Sequence, residues 1–252
     1  MNAVYEAEKK LLADRGTKSY LPIDGSPSYR ASIGRLMLGN DLFDRDGIYV
    51  STAQTPGGTV ALRVAGELLG RVFNVDTIWM SDPTWANHPK IFGAAGITVK
   101  KYDYLDDAGT GLGFEKLLAS LTEAKAGEAI LLHAVCHNPT GVDPDPQQWA
   151  QLMNLIKAKG LVPVFDFAYQ GFGDGLDADA AATRAVVAAV PECIVAASCS
   201  KNFGIYRERT GILMAVARNA DERAVAQENM SYLNRQNFSF PPDHGARVVT
   251  TI

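Results

Sequence analysis

Seven apolar runs of strand length recur along the chain, at residues 48–53, 77–80, 97–102, 130–135, 162–167, 194–197 and 211–216. Between several of them the apolar residues fall at helical spacing, at 60–73, 114–124, 147–159 and 178–190. Alternating strands and helices predict an α/β domain: a seven-stranded, mainly parallel sheet with helices on both faces. Residues 1–252 read as one domain, with no internal repeat, low-complexity tract or long linker. The first residues are charged and helix-like rather than a signal peptide. A terminal helix from near Pro242 places Val248, Val249 and Ile252 on one apolar face and meets no Gly, Asn or polar cap. The expectation is a helix interrupted midway, in a chain cut at both ends.

Composition narrows the function classes. Hydrophobic residues make up 47% of the chain and charged residues 21%, the balance of an ordinary globular protein. Twenty-four Lys and Arg against 28 Asp and Glu leave a net charge of -4, and no basic block offers itself to nucleic acid. Cys136, Cys193 and Cys199 form no CxxC pair, which suits a reducing cytoplasm better than a disulfide framework. The richest apolar stretch, 185–197, is broken by Pro191 and Glu192 and is too short to span a bilayer, so no membrane partner is expected.

In open α/β sheets ligands sit beyond the carboxyl ends of the strands, so polar residues just after apolar runs carry the candidate chemistry. After the first run comes QTPGGT (54–59), where Gly57, Gly58 and Thr59 offer backbone N–H groups and a hydroxyl at a helix start, a place for an anion or a plain strand-to-helix turn. Neither GxGxxG nor GxxxxGK[ST] is present, against a dinucleotide or P-loop site. Asp166, between Phe165 and Phe167, requires a cationic or hydrogen-bonding partner unless it is a cap or turn residue. His133, Cys136 and His137 suggest a metal, but strand alternation puts Cys136 opposite the histidines and no fourth ligand has suitable spacing, so no metal is expected. After the 194–197 run comes SCSKNFGIYRERTG (198–211). There Lys201 lies among Phe203, Gly204, Ile205 and Tyr206, surroundings that favour the neutral, nucleophilic amine over a solvated lysine, and Arg209 can grip a phosphate in bidentate fashion.

Together these segments resemble the aspartate and aromatic amino acid aminotransferases, enzymes dependent on pyridoxal phosphate. The likeness rests on YLPIDG (20–25), QTPGGT (54–59), DPTWANH (82–88), HNPTG (137–141), DFAYQGF (166–172), SKNFG (200–204) and PPDHG (241–245), and covers essentially the whole chain.

The resemblance implies that Lys201 bonds the cofactor aldehyde and shuttles the substrate proton, while Asp166 keeps the pyridinium nitrogen protonated with His88 behind it. It implies Asn138 and Tyr169 on the ring's phenolic oxygen and Trp85 stacked on the ring. The phosphate cup would be Gly57, Gly58, Thr59, Ser198 and Arg209, completed by Tyr20 of a neighbouring subunit in a homodimer, with Tyr206 packed nearby. Arg235 would reach the other subunit's site and bind a substrate's distal carboxylate, with an exposed arginine as the alternative; Trp85 and Asn138 would also line the substrate space. The implied reaction moves an amino group between aspartate, glutamate or an aromatic amino acid and a 2-oxo acid such as 2-oxoglutarate. A lyase or decarboxylase on the same scaffold, or a cofactor-binding module with little activity, are the rivals. The family's N-terminal arm and its C-terminal small domain, which carries the arginine for the substrate α-carboxylate, have no counterpart in these residues.

Overall fold

The computed structural model describes residues 1–14 and 16–252. The strands are β1 (Tyr49–Pro56), β2 (Thr77–Asp82), β3 (Thr98–Asp103), β4 (Ala129–His133), β5 (Val162–Phe167), β6 (Cys193–Ser198) and β7 (Thr210–Ala217). They form one sheet in the order β1-β7-β6-β5-β4-β2-β3. β7 runs antiparallel to both of its neighbours, and the other pairings are parallel. All seven runs predicted from sequence are strands, with ends shifted by up to three residues.

Ten α-helices are described: α1 (Asn2–Ala13), α2 (Pro27–Leu38), α3 (Asn40–Phe43), α4 (Gly58–Glu67), α5 (His88–Ala94), α6 (Phe114–Ser120), α7 (Pro146–Lys159), α8 (Leu176–Ala189), α9 (Ala220–Asn237) and α10 (His244–Thr251). Local chemistry explains several of their ends. Asp145 and Gln148 form a reciprocal capping box at the start of α7, Pro146 occupies the first turn, and Gly160 ends the helix at φ 64°, a left-handed value that glycine adopts freely. Ser26 accepts the Tyr29 N–H to cap α2, and Asn219 accepts that of Glu222 to cap α9.

Strand alternation divides the core between the two faces of the sheet. Ile130, Leu132, Phe165, Phe167, Val195, Ala197, Ile212 and Met214 face one side with residues of α2, α7, α8 and α10. Their neighbours Ala129, Leu131, Val164, Ile194, Ala196, Leu213 and Ala215 face the other, with α4, α5 and α9. Strands buried on both faces explain why the sequence shows continuous apolar runs rather than an apolar-polar alternation.

Three expectations need correction. The 60–73 segment is not one helix: α4 gives way to a π-helical turn over Leu68–Val72, closed by Phe73 N–H to the Leu68 carbonyl, where Gly70 weakens helical propensity. β4 ends at His133, and Cys136 lies outside the ladder at φ 52° with its N–H donated to Asp143, so alternation does not govern its side. Ile252 lies beyond α10 and is 55% exposed, while Val248 and Val249 are buried.

Candidate functional site

The carboxyl ends of β4, β5 and β6 and the start of α4 converge on a cleft of about 260 Å³. Gly58, Thr59 and Ser198 line one end together with Arg209; Asp166 lies in the wall, and Trp85, Asn138, Tyr169, Lys201 and Tyr206 complete it. Nine of the twelve residues singled out as site residues therefore meet in one place. The Lys201 ammonium lies 4.8 Å from the centre of the Tyr169 ring.

The anion end is built from backbone as much as from side chains. Gly57, at φ 82°, is the N-cap residue of α4 and offers no side-chain cap, so N–H groups of the first turn are left for a ligand. Gly57 does not itself line the cleft. Its role is spatial: a Cβ there would collide with the Arg209 guanidinium. Arg209, itself left-handed at φ 51°, donates to the Tyr206 carbonyl (3.1 Å) and toward Ser200 Oγ (3.5 Å). Ser198 Oγ donates to Ser200 Oγ (2.9 Å) and accepts the Ser200 N–H (3.1 Å). Among the described residues neither Arg209 nor Lys201 makes an ion pair. The Arg209 guanidinium, an open helix start and hydroxyl donors together suit a phosphate.

At the wall, the positive or hydrogen-bonding partner required by Asp166 is His88, whose Nε2 lies 2.8 Å from Oδ2. Burial pushes the Asp166 carboxyl up, but the His88 hydrogen bond, with the electrostatic attraction of the neighbouring imidazoles and of Lys201, prevails and holds it below the usual carboxylate range. Behind this pair runs a chain of hydrogen bonds whose direction follows from its ends. Asn138 N–H donates to His133 Nδ1 (3.3 Å), so His133 carries its proton on Nε2 and donates to Thr84 Oγ1 (3.1 Å). The Thr84 hydroxyl is then the donor to His88 Nδ1 (2.8 Å), and His88 Nε2–H points at Asp166. Burial lowers His133 to about 4 despite the attraction of Asp166, so it is neutral at pH 7 and can play this part. His137 is lowered to about 3, by burial first and by the neighbouring histidines next.

These rings form a packed column. Tyr104 stacks on His137 at 3.8 Å, His137 meets His133 at 4.0 Å with the rings tilted by 36°, His133 meets His88 edge-on at 5.1 Å, and Trp85 meets His88 edge-on at 5.2 Å. The two histidines read as possible metal ligands are thus committed to hydroxyls and to each other: His137 bonds Ser81 and Thr140.

Tyr20 and Arg235 are not in the cleft. Tyr20, 83% exposed, stacks on Phe240 at 4.6 Å, and the Arg235 guanidinium lies over the same ring at 4.9 Å while donating to Ser239 Oγ (2.6 Å). Sequence reasoning missed His133, Thr84 and Ser200 as members of the site. The signal for His133 was available in register: it is the last residue of β4 and pairs directly with Asp166. Ser200 and Thr84 each stood inside a motif named above, SKNFG (200–204) and DPTWANH (82–88), without being singled out.

Comparison with known proteins now places the chain. It belongs to the class I and II aminotransferase family, whose model matches residues 1–252. The aromatic-amino-acid aminotransferase of Paracoccus denitrificans is 47% identical over 253 residues, covering 100% of this chain and 63% of that protein. The aspartate aminotransferase of Salmonella typhi is 46% identical, covering 100% and 64%. Among solved structures, the aromatic-amino-acid aminotransferase of Burkholderia pseudomallei, covalently bound to pyridoxal phosphate, superposes with a TM-score of 0.96 at 41% identity, covering 99% of this chain and 63% of its own. The chain thus spans slightly under two thirds of the length of the relatives it matches.

Proposed function

We propose that the chain is the cofactor-binding large domain of a pyridoxal-phosphate-dependent aminotransferase, acting on aspartate, glutamate or aromatic amino acids with a 2-oxo acid such as 2-oxoglutarate. The observation that carries this reading is the juxtaposition, in one cleft, of Lys201 over Tyr169, of Asp166 backed by His88, and of an anion cup with an unpaired arginine. The donor set fits the cofactor: a guanidinium and helix N–H groups for its phosphate, a carboxylate for its ring nitrogen, and an amine for its aldehyde. When bound, that group supplies an electrophilic carbon and an electron-accepting ring.

The chain's own residues do the rest. Gly58, Thr59, Ser198 and Arg209 bind the phosphate, with Gly57 making room for the arginine. Asp166, kept ionised by His88 Nε2–H, holds a proton on the ring nitrogen, and the Asn138–His133–Thr84 chain fixes the His88 ring so that this donor cannot turn away. Asn138 and Tyr169 serve the phenolic oxygen, and Trp85 covers the ring. Lys201 Nζ is the covalent anchor and carries the proton to and from the substrate. Tyr20 and Arg235, outside the cleft of their own chain, serve the site of a second copy in a homodimer, Tyr20 at the phosphate and Arg235 at a distal carboxylate. Among the described residues no helix is long and apolar enough to cross a membrane. The three free cysteines suit a reducing, cytoplasmic setting.

The decisive experiment adds pyridoxal phosphate to the purified chain, follows the visible absorbance, and reduces the product with borohydride. One covalent label on Lys201 is expected in the wild type and none in Lys201→Ala. A single-site label surviving that substitution would overturn the assignment.

A further inference from the structure

Two buried side chains outside the cleft bind segments far apart in sequence. Gln54 in β1 and Asn234 in α9 are each 0% exposed. Gln54 Oε1 accepts the Ser26 N–H (3.0 Å), and its Nε2 donates to the Pro242 carbonyl (2.7 Å). Asn234 Nδ2 donates to the carbonyls of Ile23 and of Gln54 itself, each at 3.3 Å. The Gln54 N–H is in turn donated to the Asp24 carbonyl (2.9 Å). Gly25, at φ 89°, completes the fit, because a Cβ there would collide with the Gln54 side chain.

Each segment tied by these amides carries one member of the exposed cluster. Tyr20 lies three residues before Ile23, Arg235 directly follows Asn234, and Phe240 lies two residues before Pro242. Gln54 itself lies three residues before Gly57. We propose that Gln54 and Asn234 are positioning residues that fix the Tyr20–Phe240–Arg235 cluster relative to the anion cup; their importance to catalysis rests on the reading of Tyr20 and Arg235 given above. Neither amide touches the cleft.

The physical argument turns on where the cluster gets its order. Its visible contacts are the exposed Tyr20 ring stacked on the half-buried Phe240 and an exposed arginine over that ring, and such surface contacts are weak. The carbonyls of Ile23 and Pro242, by contrast, receive the buried donors. A leucine at position 234 or 54 keeps approximate volume but supplies no donor, so the carbonyls gain hydration only if their segments move toward water. Loss of the hub therefore loosens 20–26 and 238–242 first and leaves the parallel strands of the cleft in place.

Amide hydrogen exchange, followed by mass spectrometry on the chain with bound pyridoxal phosphate, tests this in Asn234→Leu and Gln54→Leu. Exchange should quicken about tenfold or more in peptides covering 20–26 and 238–242 and stay unchanged in β5 and β6, with cofactor affinity falling no further than it does in Tyr20→Ala. Unchanged exchange in the two segments overturns the proposal. So does faster exchange that extends into β5 and β6 with cofactor affinity falling in step, since that marks a merely structural role. Should one variant fail to fold, the other decides by the same criteria.

The ratio of aspartate to phenylalanine turnover, measured alongside Arg235→Ala, separates this inference from the reading beneath it. A ratio unchanged in Arg235→Ala sinks the role given to Arg235 but leaves the exchange result to judge the hub. A ratio that falls in Arg235→Ala and holds in Asn234→Leu overturns the hub as a determinant of specificity.

Discussion

The Asp166 wall and the Tyr20–Arg235 cluster are opposite kinds of polar site. At the wall, each link from Asn138 through His133, Thr84 and His88 to Asp166 has a donor facing an acceptor, all within one chain. In the surface cluster Tyr20 and Arg235 are exposed and Phe240 is half-buried, and among the described residues its arginine meets a serine hydroxyl and a ring face. A closed network fixes charge and direction, which suits a group that must hold one proton in place. An open cluster held from beneath suits a surface that completes something else. The contrast predicts large effects from substitutions at the wall and small ones, within the isolated chain, at the cluster.

The largest is expected for Asp166→Ala. With the anion cup intact, cofactor affinity should fall less than about tenfold, while single-turnover transamination falls about 10²–10³-fold, the scale of removing one preorganised charge from a reacting centre. Equal losses in affinity and rate would break the assignment of Asp166 to the ring nitrogen.

Next comes acid sensitivity. His133 and His137 are lowered in the folded chain from 6.5 to about 4 and about 3. Between pH 6.5 and about 4 the unfolded chain therefore binds protons that the folded chain refuses, and stability falls as pH falls. At about 1.4 kcal/mol per pKa unit, His133 alone accounts for roughly 3 kcal/mol lost by pH 4. Urea denaturation of wild type and His133→Asn at pH 7 and pH 4.5 measures it. The variant should show the shallower dependence, and parallel curves would show that His133 is charged in the fold.

A smaller effect is expected for Gly57→Ala, which pushes Arg209 aside without removing it. Cofactor or inorganic phosphate should bind about tenfold more weakly, on the scale of one charge-assisted hydrogen bond misplaced. Affinity within twofold of wild type would mean that the arginine is not held against this glycine.

How much of this the sequence disclosed follows from the range of the interactions. The sheet was legible because buried parallel strands impose continuous apolar runs, and the cleft because its residues directly follow those runs. Asp166 announced its need for a partner by sitting between two phenylalanines. The hydrogen-bonded chain behind it was less legible: the resemblance put His88 behind Asp166, but Thr84 and His88 follow β2 while His133 ends β4, and they meet Asp166 through the β2-β4-β5 neighbourhood of the sheet. The ends of elements were least legible. At the end of β4, the left-handed turn at Cys136 depends on Asp143 accepting its N–H, a contact seven residues away that no periodicity reports.

The smallest effect sharpens the comparison most. Arg235 is exposed, and its contacts are one hydroxyl and one ring face. Exposed contacts of this kind contribute little because water replaces them, so Arg235→Ala should change the unfolding free energy of the chain by no more than about 0.5 kcal/mol. Tyr20→Ala should behave alike, as its ring is 83% exposed even when stacked on Phe240. Both are to be measured by urea denaturation at low and high protein concentration. If a second copy receives these side chains, as proposed above, it adds a linkage contribution at high concentration, and the variants should then lose stability relative to wild type. A loss above about 1 kcal/mol that does not depend on concentration would show that the cluster is folded structure within its own chain, and the contrast with the closed network at Asp166 would fail.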